Sequence, residues 1–149
     1  MNEVIIYTDG AAKGNPGKGG YGTILIAGNH VKKLSQGYSL TTNNRMELLA
    51  VIIGLEALKR KCSVNIYSDS KYVVDAIEKG WLFGWHKQEF KGKKNSDLWK
   101  RFLSVYKNHT VKFHWIKGHA GNKYNEMCDL LAVQAAESSN LLIDKGYIS

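Results

Sequence analysis

Four acidic residues, Asp9, Glu47, Asp69 and Asp129, have the types and placement to act together on a bound cation. Asp9 lies at the end of the apolar, β-branched run Val4 to Tyr7, and Asp69 at the end of another short strand, Ser63 to Ser68. A carboxylate at the end of a buried strand is costly to desolvate unless a cation or a hydrogen-bond donor meets it. On neighbouring strands, Asp9 and Asp69 would set two like charges side by side, which asks for a metal ion. Glu47 falls in the first turn of a predicted helix and Asp129 within a later one, so four elements could bring four carboxylates to one place. Oxygen ligands of this kind suit Mg2+ or Mn2+ rather than zinc. Taken singly, each acid has a plainer explanation. Asp9-Gly10 is a common turn, Glu47 suits a helix N-terminus, Asp69-Ser70 is a cap, and Asp129 is a solvated helix position.

The elements that must position these acids follow from periodicity. Val4 to Tyr7 reads as a strand stopping at a turn around Thr8-Asp9-Gly10, with Lys13 to Gly20 as a loop. Tyr21 to Ala27 and Val31 to Ser39 read as strands joined through Gly28-Asn29. Met46, Leu49, Ile53 and Ala57 mark a helix from Asn44 to Arg60, which Thr42 or Asn43 can cap. Ser63 to Ser68 is a strand, Lys71 to Glu78 a helix capped by Ser70, and Lys79 to Asn95 a protruding element. Ser96 caps a helix through Tyr106, Thr110 to Ile116 is a strand, Lys117 to Gly121 a loop, and Lys123 to Glu137 a helix. Residues 138–149 read as a tail. This order predicts an α/β domain over residues 1–149: one mixed sheet with the first strand near its centre and helices on its faces. Sheets of this kind place their chemistry at the carboxyl ends of central strands.

Bulk properties narrow the function classes. With 149 residues, 44% of them hydrophobic, the chain is long enough to bury a core, and nothing in its composition suggests disorder or a collagen-like repeat. A net charge of +8 would draw in a polyanion. The two cysteines, Cys62 and Cys128, form neither a disulfide framework nor a close metal-ligand pair, which fits a reducing compartment. No basic segment with a following apolar run opens the chain, and no apolar stretch reaches the length of a membrane span, so a soluble, cytoplasmic protein is expected.

The segments around the four acids resemble the type 1 ribonuclease H family in its bacterial form, almost from end to end. They are Tyr7-Thr8-Asp9-Gly10, Gly14-Asn15-Pro16-Gly17, Gly19-Gly20-Tyr21-Gly22, Thr41-Thr42-Asn43-Asn44-Arg45-Met46-Glu47-Leu48, Tyr67-Ser68-Asp69-Ser70, Trp115-Ile116-Lys117-Gly118-His119-Ala120-Gly121 and Asn125-Glu126-Met127-Cys128-Asp129. The resemblance implies a five-stranded mixed sheet and an endonuclease that hydrolyses the RNA strand of an RNA–DNA hybrid, leaving 3′-hydroxyl and 5′-phosphate ends. It implies two Mg2+ ions bridged by Asp9 and completed by Glu47, Asp69 and Asp129. His119 would assist proton transfer or product release. Asn15, Asn43 and Asn44 would lie along the RNA strand, where amides can meet a 2′-hydroxyl or a minor-groove base edge. Thr42 and Asn95 match positions that hold a phosphate of the DNA strand.

Trp81, Trp85 and Phe90, followed by Lys91, Lys93 and Lys94, resemble the family's basic protrusion at residues 80–95, where rings pack along deoxyribose and lysines neutralise phosphates. One or both tryptophans can equally be partly core. Trp99 and Trp115 are expected in the core. The protrusion is short after Phe90, which stands where relatives often carry tryptophan, and Leu40 stands where many carry an arginine. Three rivals share parts of this pattern. A DNA-processing nuclease of the same fold is opposed by the asparagines and the protrusion, and a non-catalytic hybrid-binding module by the intact acidic set. A domain cut from a reverse transcriptase is opposed by Met1 lying so close to the first strand. A stand-alone monomer is expected.

Overall fold

The computed structural model describes residues 2–147. The chain opens with β1 (Asn2–Lys13), β2 (Gly17–Ala27) and β3 (His30–Thr41), followed by α1 (Asn43–Glu56) and β4 (Cys62–Ser68). Then come α2 (Lys71–Glu78), α3 (Trp81–Lys87), α4 (Ser96–Tyr106), β5 (Thr110–Trp115), α5 (Lys123–Glu137) and β6 (Leu141–Leu142). The strands form one sheet in the order β5-β4-β1-β2-β3-β6. The pairs β1–β2 and β2–β3 are antiparallel, whereas β1–β4, β4–β5 and β3–β6 are parallel. The mixed α/β architecture and the central first strand are as expected. The sheet has six strands rather than five, because two residues of the expected tail pair with Gly37 and Tyr38 of β3.

Strand β1 does not stop at Asp9. Its parallel pairing with β4 ends at Thr8 and Ser68, but its antiparallel pairing with β2 runs on through Asp9, Gly10 and Ala11 to Lys13. Gly-Ala-Ala carries no strand signature, and the ladder to β2 overrides that weak local preference. Asp9 therefore lies inside a strand, at the fork where β4 drops away.

The helices cover the two faces differently. Helix α1 is enclosed on nearly every side, with Leu48, Ala50, Val51, Ile52 and Leu55 each fully buried. The stripe from Met46 to Ala57 is thus only part of its buried surface, as expected of a helix apolar all round. Thr42 caps it by accepting from the Arg45 amide, and it ends at Glu56 rather than Arg60, where Leu58 N–H turns back to the Leu55 carbonyl. Helix α5 lies on the opposite face, over β1, β2 and β3. A row of glycines lets it approach. A Cβ on Gly20 would come within 2.6 Å of the Ala132 carbonyl, and Cβ atoms on Gly22 and Gly37 would overlap the carbonyls of Cys128 and Ala135. Ser70 caps α2 as expected, but Ser96 is the first residue of α4, preceded by Asn95 in a left-handed conformation with no side-chain cap bond.

Candidate active site

Asp9 sits at the fork, 5% exposed, with one carboxylate oxygen accepting from the Gly10 amide at 2.9 Å. Its antiparallel partner is Gly22, and that residue presses on the Cys128 carbonyl of α5. Gly10, on the other face, presses on the Met46–Glu47 backbone of α1. Two glycines beside one aspartate thus let two helices close in from opposite faces, one bringing Glu47 and the other Asp129. Asp69 follows directly after the last β1–β4 pair, as strand pairing had implied. Ligand atoms of Asp9, Glu47 and Asp69 lie within 4.8 Å of one another.

Burial makes this cluster electrostatically expensive. Desolvation, then the charge of Asp69, pushes the Asp9 carboxyl up to about 8. Glu47 is raised well above the usual carboxylate range, again by burial first and then by the charges of Asp9 and Asp69. Glu47 Oε1 and Asp69 Oδ1 are buried without a hydrogen-bond partner among the protein's described groups. Orphaned carboxylate oxygens converging on one point fit a hard divalent cation, which would supply the missing charge. Asp129 is half-buried and outside the three-residue cluster, although its charge contributes to raising Asp9.

The loop after β5 is fastened to Asp69. Ile116 N–H donates to the Ser68 carbonyl at 2.9 Å, and the Trp115 indole N–H donates to the Asp69 carbonyl at 3.1 Å. Gly118 lies so close that a Cβ there would meet Asp69 Oδ2 at 2.7 Å. His119, the next residue, is exposed and has a positive φ of 57°. Trp115 is not core: it is 45% exposed, with the Lys71 ammonium 4.8 Å from its ring centre. It was expected in the core, but it stands at the end of β5, where the sheet no longer covers it. Gly22, Gly118 and Trp115 were not recognised as site-building residues from the sequence. The only signal was a glycine or an aromatic ring next to a motif acid.

The residues matched to substrate contacts gather near the start of α1 and along the protrusion. Asn15 Oδ1 accepts from the Asn43 amide at 3.0 Å, tying the β1–β2 turn to the helix, and Asn43 and Asn44 are exposed. Asn95 is held at both ends of its amide, by Arg45 at 3.4 Å and by the Tyr72 hydroxyl at 3.0 Å. Trp81 is 48% exposed with Lys79 near its ring, and Lys94 is exposed. Trp85 is half-buried, packed against the core at Trp99, with the Lys93 ammonium 5.2 Å from its ring centre. Phe90 is 5% exposed and belongs to the core, so it offers no ring to a ligand; the turn after α3 folds it inward. Trp99 is fully buried, as expected.

Comparison with known proteins gives a consistent result. The family model described as RNase H matches residues 1–137. A protein named Ribonuclease H from Syntrophus aciditrophicus is 55% identical over 152 residues, covering 99% of this chain and 88% of the relative. Among solved structures, LC9-RNase H1, described as a type 1 RNase H with the type 2 active-site motif, superposes with a TM-score of 0.84 at 30% identity, covering 99% of this chain and 79% of that one. LC11-RNase H1, solved in complex with an RNA/DNA hybrid, shares the fold at a TM-score of 0.71 and 24% identity, covering 90% of this chain and 96% of that one. The chain belongs to the RNase H family.

Proposed function

We propose that this chain is an endonuclease that hydrolyses the RNA strand of RNA–DNA hybrids and leaves 3′-hydroxyl and 5′-phosphate ends. The observation that carries the reading is the convergence of Asp9, Glu47 and Asp69, with two buried carboxylate oxygens lacking partners, in a member of the RNase H family. These three residues would hold the metal, with Asp129 joining them from α5. When bound, Mg2+ or Mn2+ supplies the positive charge that favours a hydroxide-like nucleophile and offsets charge on the departing 3′ oxygen. His119, exposed and next to the Gly118 that presses on Asp69, would carry a proton to or from the reacting phosphate.

Substrate selection falls to the exposed amides. Asn15, Asn43 and Asn44 meet the RNA strand, where their donors and acceptors answer a 2′-hydroxyl. Thr42 and Asn95 hold a phosphate of the DNA strand, and Trp81, Trp85 and Lys94 extend the grip along it. The hybrid seen with LC11-RNase H1 supports this choice of ligand. We propose further that the chain acts as a single domain and a monomer in the cytoplasm. None of its described helices is long and apolar enough to cross a membrane.

The test is cleavage of four matched duplexes with and without Mg2+: RNA–DNA, RNA–RNA, DNA–DNA, and DNA with one embedded ribonucleotide. Cutting confined to the RNA of the hybrid, dependent on metal and lost in Asp9→Asn, is the expected result. Cutting of all-DNA duplexes would move the chain to the DNA-processing nucleases, and binding without cutting would make it an adaptor.

A further inference from the structure

Arg45 lies in the first turn of α1, only 2% exposed, and all five of its guanidinium N–H donors are engaged. Nε and Nη2 donate to Asp144 at 2.7 and 2.9 Å, Nη1 and Nη2 donate to Asp97 at 2.8 and 2.7 Å, and Nη1 also reaches Asn95 Oδ1 at 3.4 Å. Asp144 belongs to the segment expected to be a tail, yet its side chain is only 9% exposed. It also accepts from the Thr41 hydroxyl at 2.7 Å. Gly146 presses this segment onto Asp97, since a Cβ there would overlap that carboxylate.

The donors left over at this corner are informative. Thr42 Oγ1 accepts from the Arg45 amide, so its hydroxyl proton is free to be donated outward. Asn95 spends one amide hydrogen on Tyr72 and keeps the other. Both residues take their orientation from Arg45, one from its backbone and one from its side chain. We propose that residues 141–147 form a substrate-positioning strap. Asp144 fixes the Arg45 side chain, whose Nη1 orients the Asn95 amide while the Arg45 backbone orients Thr42, so that a DNA-strand phosphate meets two donors already in place. This rests on reading Thr42 and Asn95 as phosphate contacts. Asp144 is a positioning residue that does not touch the substrate. Its contribution is geometric, because Arg45, Asp97 and Asp144 together carry a net charge of −1, and a negative field alone would repel the phosphate.

The sign of that field makes the proposal testable with the full chain. Steady-state cleavage is compared for the native protein and Asp144→Asn, using a hybrid with a normal DNA strand and a set carrying one neutral methylphosphonate linkage at successive positions. Thermal midpoints are recorded alongside. In the native protein one linkage is expected to raise KM roughly tenfold, the scale of a lost hydrogen bond to a charged group. In Asp144→Asn, KM for the normal hybrid rises by a similar factor, kcat changes far less, and that linkage no longer matters; Asp144→Glu recovers part of the loss. If Asp144→Asn does not fold, Thr41→Val, which removes one donor to Asp144, gives the same pattern more weakly. A lower melting point with KM unchanged or reduced, and the linkage still felt, would overturn the strap while leaving the phosphate corner intact. If no linkage matters in the native protein, the corner itself fails, and the strap with it.

Discussion

Asp9 shows what the proposed active site costs the fold. Its carboxyl is raised from 3.8 to about 8, so the folded chain retains a proton that the unfolded chain has released across that interval. The stability associated with this group is fully present below the ordinary carboxylate value and is lost as pH rises towards 8, and Glu47 acts in the same direction. Metal-free protein is therefore expected to unfold at lower urea at pH 9 than at pH 5.5, and added Mg2+ should narrow the difference. In EDTA at pH 8, Asp9→Asn should raise stability by about 1–2 kcal/mol, roughly 2–8 °C in midpoint, while abolishing cleavage. A variant that is inactive and also less stable would show that the acids do not repel one another. Asp9 and Glu47 were legible in the sequence because each stands in a segment that resembles the family, whereas singly each acid had a plainer explanation. Arg45 and Asp144 were not legible as a pair, because their partnership spans 99 residues and Asp144 lies outside every matching segment, in the stretch read as a tail.

At the scale of elements, legibility followed the strength of local signals. Helices α2 and α5 run as expected, from Lys71 to Glu78 and from Lys123 to Glu137, each capped by the side chain just before it, Ser70 and Asn122. Where tertiary pairing decides, expectation fell short: β1 continues through Gly10 because β2 is there to pair with it, and Leu141 and Leu142 become a strand only beside β3. The approach of α5 to the sheet gives a direct check. Gly22→Ala places a methyl group on the Cys128 carbonyl, next to Asp129, and should destabilise the fold by about 1–3 kcal/mol, as overpacking does. Metal affinity, read by titrating Mn2+ or Mg2+ against the folded variant calorimetrically, should fall with it. Unchanged affinity would mean that α5 can shift without moving Asp129 relative to Asp9.

Across the whole molecule, a net charge of +8 is set against a buried acidic centre, so the phosphate backbone is attracted broadly but cut in one place. Hybrid binding should weaken steeply between 50 and 200 mM salt. Lys94→Ala should reduce the slope of log affinity against log salt by about 0.9 without changing sequence preference. An unchanged slope would remove Lys94 from the interface. The glycines at the sheet carry a further consequence, in genetic terms. Gly10, Gly22 and Gly118 carry no side chain, yet each is where a helix or loop comes close enough to bring Glu47, Asp129 or His119 toward Asp9 and Asp69. A random-mutagenesis screen for loss of activity is therefore expected to return these glycines alongside the acids, which makes the mutational target of the proposed active site considerably larger than the set of groups proposed to touch the RNA.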